Sequence, residues 1–158
     1  MRPRWLVASA ALAVLSLGSV ACGKPYQVAA APGFLKLQSE QEPYDWRAVA
    51  PDGVVVALRV VPTEEHADLG FWAHAVTLRM REMDEYALLS THDVTSRDGT
   101  PGTELVFGHD ENGKPFLYRV RLFVSGKRLF VVEAGGAKEQ MDRYQASVDW
   151  MLASVRVT

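Results

Sequence analysis

The sequence predicts an α+β domain in which an antiparallel β-sheet carries amphipathic helices packed on its faces, an α/β/α sandwich. Three observations predict it. Short apolar runs are separated by Asp-Gly, Asn-Gly and Pro-Asp-Gly turns, the punctuation of antiparallel hairpins. Two longer segments repeat apolar residues every three or four positions, the period of a helix lying on a core. One run, residues 54–61, is apolar almost without interruption, as in a strand covered on both faces. With 158 residues, 48% hydrophobic and 23% charged, the chain has room for one such core and not two.

Taken in order, Pro51-Asp52-Gly53 divides a strand over residues 44–50 from the strand over 54–61, the glycine supplying a positive φ. Leu69, Trp72, Val76, Met80 and Met83 then form one stripe of a helix, with His74, Thr77, Arg81 and Glu85 opposite. Thr63 or Asp68 is placed to cap its start, and Glu64, Glu65 and Asp68 lie near the positive end of its dipole. Strands return over residues 88–96, 103–108, 116–124 and 128–134, joined by turns at 97–102, 110–114 and 125–127 in a four-stranded meander. Gly135-Gly136 is expected to break the sheet. Met141, Tyr144, Val148, Leu152 and Val155 restore helical spacing in a closing helix.

The first 21 residues are an address. Arg2 and Arg4 precede an apolar run, residues 5–17, that ends in small residues ahead of Cys22. As a helix that run reaches only ~20 Å, short of a ~30 Å hydrocarbon core, so it predicts a secretory signal rather than a membrane span. Ser19-Val20-Ala21-Cys22 is similar to a bacterial lipobox, which implies cleavage before Cys22 and acylation of that cysteine with palmitate-type chains. Two or three such chains make membrane residence effectively permanent. Without Arg2 and Arg4 the chain carries about −4, so anionic lipid would add nothing to the anchor. Gly23, rather than Asp, follows the cysteine, which by resemblance to bacterial sorting rules is compatible with the outer membrane where a cell has one. Residues 22–33, with Pro25, Pro32 and no apolar period, read as the acylated cysteine and a tether, leaving 34–158 as the folded domain.

Few residues offer chemistry. The net charge of −2 lacks the basic surface a nucleic-acid partner needs. One cysteine, Cys22, closes no internal disulfide and builds no cysteine zinc cluster. His66, among Glu64, Glu65 and Asp68, has donors for a divalent ion without a recognised ligand spacing. His74, His92 and His109 read as ordinary surface or half-buried residues. The acidic stretch 109–113 reads as a hairpin tip, and Gly135-Gly136 as a corner rather than an anion site. Arg119 and Arg121 share one sheet face, where Glu104 and Glu133 on neighbouring strands are expected to oppose them. No metal, cofactor or catalytic set is expected. Trp150 is the exception to this quiet pattern. It lies about 180° from Met141 at ~100° per residue, away from the apolar stripe of the closing helix. Either residues 34–37 or Trp46 cover it, or it is a partner contact.

The early hairpin over Pro51-Asp52-Gly53, the helix after it, the 98–102 turn, the Asn112-Gly113 and Gly126 hairpins and the closing helix ending Leu152-Ala153-Ser154 resemble the PsbP/Mog superfamily, including DcrB-type bacterial lipoproteins. The resemblance covers residues 44–155. It implies an α/β/α sandwich and an accessory or binding role without a shared catalytic motif. The expectation is a non-catalytic envelope lipoprotein, held to the membrane through Cys22, that binds or stabilises another envelope component, an envelope protein being the candidate partner. The alternative is a small-ligand pocket between helix and sheet, lined by Trp72, Phe71 and Tyr86, which a closed apolar cavity would favour. An enzyme would require two or more titratable groups converging in one cleft.

Overall fold

A computed structural model describes residues 23–38, 43–63, 68–82 and 85–158. Cys22, the signal-like stretch before it, His66 and Met83 lie outside the described residues. A seven-stranded antiparallel sheet in the order β2-β3-β4-β8-β7-β6-β5 forms the middle layer. Its strands are β2 (Leu35–Leu37), β3 (Trp46–Val49), β4 (Val55–Pro62), β5 (Ala87–Thr95), β6 (Pro101–Glu111), β7 (Lys114–Ser125) and β8 (Arg128–Ala137). Helix α1 (Leu69–Glu82) packs on one face, and α2 (Lys138–Arg143) with α3 (Gln145–Ser154) on the other. Two terminal strands, β1 (Tyr26–Gln27) and β9 (Arg156–Val157), pair with each other.

Side-chain alternation divides the sheet into two cores. Val56, Leu58, Phe130, Val132 and Phe123 meet Met141, Val148, Met151 and Leu152 on the α2/α3 face. Leu105, Phe107, Val120, Leu122, Leu129 and Val131 meet Leu69, Trp72, Ala73, Val76 and Met80 on the α1 face. Leu69, Trp72, Val76 and Met80 of the expected helical stripe are therefore the residues α1 packs, half-buried, on the sheet. Its start is capped by Asp68, whose Oδ1 accepts the Phe71 amide at 2.8 Å, while Arg79 and Arg81 sit in its last turn. Thr63 is not the cap; its amide instead donates to the Lys127 carbonyl. Glu85 is not on the helix either, since the chain reverses there with φ 55°.

Three further expectations are corrected. Gly135-Gly136 does not break the sheet: β8 continues to Ala137, with Gly135 opposite Tyr118 and Gly136 opposite Leu117. Glycine is needed there for space, because a Cβ on Gly135 would come within 2.6 Å of the Tyr118 ring. The closing helix is two helices, divided at Tyr144 (φ −94°, ψ 9°), whose ring packs edge-on against Phe34 at 5.5 Å. The tether is much shorter than residues 22–33. Tyr26, Ala31 and Phe34 are buried in the α2/α3-face core, Tyr26 Oη donates to the Asp45 carbonyl at 2.5 Å, and the Ala29 amide donates to Ser154 Oγ at 3.0 Å. Tyr26, Val28 and Ala31 in that stretch supply enough apolar surface to be drawn into the body.

The turns follow their residues. The β6–β7 hairpin closes through Asn112 (φ 55°) and Gly113 (φ 78°), the two positive dihedrals a two-residue type I′ turn demands. Among the described residues no helix is long and apolar enough to cross a membrane.

Candidate functional site

One helix cannot cover one face of seven strands. Helix α1 sits over β5, β6 and β7 and reaches Leu129 and Val131 at the start of β8, so the same face of β3, of most of β4 and of the later half of β8 is left beside it. Alternation places Arg47 of β3, Ala57 and Arg59 of β4, Tyr118 of β7 and Glu133 of β8 on that open face, with Ala57 and Val120 directly flanking Glu133 in the ladder. Tyr44, just before β3, and Tyr86, just after the reversal at Glu85, complete the wall. The Tyr86 ring lies 4.9 Å from His109 and 5.9 Å from Tyr118, and His109 Nδ1 stands 3.3 Å from the Glu85 carbonyl, which holds the reversal.

The result is an open groove of two joined hollows, about 260 and 280 Å³, that share Tyr44, Tyr118 and Glu133. Glu133 is its buried charge, with a side chain 8% exposed. Oε1 accepts from the Arg59 guanidinium at 3.0 Å. Burial, and then the negative charge of Glu133, push the phenols of Tyr44 and Tyr118 above their ordinary range, so both keep their protons at neutral pH. The phenols of Tyr44 and Tyr118 hydrogen-bond the Glu133 carboxylate, while the Nε groups of Arg47 and Arg59 are buried without a hydrogen-bond partner. Arg47 lies over the Tyr44 ring at 5.7 Å. These groups can orient a polar ligand. Phenols held protonated cannot act as bases, and among the described residues no serine, threonine or cysteine lines the hollows.

On the α2/α3 face the arginines expected to pair do so, with one change of partner. Glu104 Oε1 accepts from Arg119 at 2.9 Å and from Arg121 Nε at 2.8 Å. Glu133 projects from the opposite face and pairs with Arg59 instead, because it opposes Val120 in the ladder rather than either arginine. Arg119 also donates to Asp149 Oδ1 at 2.6 Å, tying the sheet to α3. Burial alone would lower its pKa; the carboxylates of Asp149 and Glu104 outweigh that and hold the guanidinium above its ordinary value. A polar groove of about 330 Å³ opens beside this clamp, lined by His92, Glu104, Arg119, Gln145 and Asp149 among others.

Trp150 follows Asp149 directly. It is 52% exposed, on a helix where Val148, Met151 and Leu152 are buried. Neither proposed cover is in place: Phe34 and Trp46 are buried in the core, and Leu35 is itself 67% exposed. Of the three aromatic residues expected to line a helix–sheet pocket, Tyr86 does. Trp72 packs into the α1-face core and Phe71 is exposed. His92 Nε2 lies 3.0 Å from Ser90 Oγ, and among the described residues no three His, Cys, Asp or Glu side chains are grouped to hold a metal ion. Sequence reasoning missed Tyr44, Tyr118 and Glu133 as one constellation. The available signal was Tyr118-Arg119-Val120-Arg121, whose alternation sends the tyrosine to the face opposite the arginines.

No known family profile matches the chain, and no curated protein matches it by sequence. Solved structures do match. LpqN of Mycobacterium tuberculosis, described as involved in cell envelope biogenesis, aligns with TM-score 0.65 and 14% identity over 84% of this chain and 83% of that one. Cyanobacterial PsbP (CyanoP) from Synechocystis aligns with TM-score 0.61 and 14% identity over 85% and 87%. The Saccharomyces cerevisiae Ran-binding protein Mog1p aligns with TM-score 0.57 and 12% identity over 84% and 90%. The PsbP/Mog-like α+β fold expected from the layout is the fold of this chain.

Proposed function

We propose that this chain is a non-catalytic accessory lipoprotein of the cell envelope. In this reading residues 1–21 direct export and are removed, Cys22 is acylated and held in the membrane, and the sandwich docks another envelope protein. The observation that carries the docking role is Trp150, a large indole half open to solvent on a helix whose other large apolar residues are buried. The Glu104–Arg119–Asp149 clamp fixes the preceding residue to the sheet, so the indole is presented on a rigid support. The envelope role printed for LpqN, a protein of the same fold, supports the compartment.

Crosslinking in the native envelope followed by mass spectrometry tests the reading. A reproducible protein partner is expected, and Trp150→Ala should abolish that crosslink while moving the melting temperature little. A loss of several degrees would instead make the indole a packing residue.

A second reading rests on Glu133. A buried carboxylate on the floor of a groove walled by three tyrosines, two of which hydrogen-bond it, suits a small polar ligand that donates a hydrogen bond in place of a phenol. The groove is open rather than a closed apolar cavity, which favours the docking reading. A small molecule copurifying with the wild type and lost in Glu133→Gln, with no crosslinked protein, would reverse that order.

A further inference from the structure

The end of the sandwich at which the anchor joins is defined by hydrogen bonds. Strand β1 pairs with β9, the Thr158 amide donates to the Pro25 carbonyl, and the Arg97 amide donates to the Val155 carbonyl. The Val157 amide donates to Asp98 Oδ1 at 2.9 Å, and Tyr26 is buried. Only Gly23, Lys24 and Pro25 therefore separate Cys22 from the body, and three residues span at most ~11 Å. The same end holds the 96–100 turn and the start of β3, since Tyr26 Oη bonds the Asp45 carbonyl. The opposite end holds the Asp52-Gly53 and Asn112-Gly113 turns. It is one β7 length away, ~40 Å for twelve residues.

We propose that the β1–β9 end is a lipid-facing surface, resting on the headgroups of the bilayer while the 112–114 hairpin points away from it. This deepens, and rests on, the reading of Cys22 as the acylated residue. A long tether would let the body tumble; three residues do not. Charge favours the same orientation. Lys24, Arg97 and Arg156 are exposed around the junction, Lys24 5.6 Å over the Tyr26 ring, against Asp45 and Asp98, whose carboxylates accept hydrogen bonds from Val60 and from Val157 and Ser96 respectively. At the far hairpin Asp110 and Glu111 are exposed beside one base, Lys114. Partner sites on the body would thus be the sides of the sandwich, where Trp150 and the Glu133 groove lie, and not the anchored end.

The test uses the full chain, purified with its acyl groups and reconstituted into phosphatidylcholine/phosphatidylglycerol vesicles bearing a headgroup quencher. Thr158→Cys and Lys114→Cys carry the fluorophore in turn. Loss of most of the fluorescence at 158 and little at 114 is expected. Inserting about ten Gly/Ser residues between Lys24 and Pro25, a flexible coil, should abolish that difference without touching the fold. Equal quenching at both positions, or stronger quenching at 114, overturns the orientation while leaving the anchor standing. A chain that does not float with the vesicles overturns the anchor, and the orientation falls with it.

Discussion

Glu104→Gln should destabilise the domain by about 2–3 kcal/mol. In the structure one carboxylate oxygen, Glu104 Oε1, receives both Arg119 at 2.9 Å and Arg121 at 2.8 Å, and the three side chains are 8%, 15% and 13% exposed. Removing one partner of a buried pair costs about 3–5 kcal/mol because it strands a charge. Two features reduce that figure here. Glutamine keeps a carbonyl acceptor, and Arg119 keeps Asp149 at 2.6 Å. Arg121 has no such second carboxylate among the ion pairs of the described residues, and its uncompensated charge carries the remaining penalty. For a domain of this size each kcal/mol moves the melting temperature by roughly 3–5 °C, so calorimetry should read a fall of about 10 °C. The double variant Glu104→Gln/Arg121→Met should recover part of the loss, since an apolar side chain of similar length leaves no stranded charge. A shift below about 2 °C in the single variant, or simple additivity in the double, would refute the claim that this network holds the α2/α3 face by charge pairing.

Three further outcomes follow from the same geometry. Gly102→Ala should cost about 2–3 kcal/mol, because its Cβ would lie 2.4 Å from Phe123 Cδ1 and 2.6 Å from the Leu122 carbonyl, and backbone cannot yield; an unchanged melting temperature would show that β6 can shift. In alkali, Tyr44 and Tyr118 should withhold their protons beyond the ordinary value of 10.0. The unfolded chain releases them first, so stability is full below that pH and falls as pH rises past it; phenolate absorbance that shows all tyrosines titrating together before unfolding would contradict the burial beside Glu133. Burial would raise Asp98, but amide and hydroxyl donors, Val157 foremost, hold it below 3.8. Its contribution is therefore present above that pH and lost as pH falls through the lowered value, and the protection of the Val157 amide against hydrogen exchange, relative to the free-peptide rate at each pH, should fall in acid in the wild type and be low at all pH in Asp98→Ala.

Much of the fold was legible because each element announces itself locally. Asn112-Gly113 can close only a tight hairpin, and Leu69, Trp72, Val76 and Met80 can share only one helix face. What was not legible depends on pairs distant in the chain. Gly135-Gly136 looks like a break until Tyr118, seventeen residues earlier, is seen to need the space above the glycine. Tyr26 looks like part of a linker until Val157, at the other end of the sequence, pairs with it. Of the site, Trp150 could be placed from helical angle alone, as could the shared face of Arg119 and Arg121. The partner of Glu133 could not, because choosing between Arg59 and the arginines of β7 requires the register between β8 and its two neighbours.

The groove beside α1 has two causes that should be kept apart. A helix ~10 Å wide covers about two strands at ~4.8 Å spacing, so a single helix on a seven-stranded sheet leaves a furrow whatever the sequence. The furrow alone is thus no sign of a ligand. Its lining is a different matter, since a sheet surface beside a helix could be closed with valine and leucine at no electrostatic cost. This chain instead puts Arg47, Arg59 and Glu133 there, desolvates the carboxylate to 8% exposure, and surrounds it with phenols that hydrogen-bond it and keep their protons. Replacing such a pair by apolar residues is often neutral or stabilising, so stability is a poor reason for its presence. A direct comparison follows: Arg59→Met/Glu133→Leu should fold at least as stably as the wild type, by thermal melting. If it does, the charges serve recognition; if it loses several kcal/mol, they serve the fold, and the small-ligand reading loses its support.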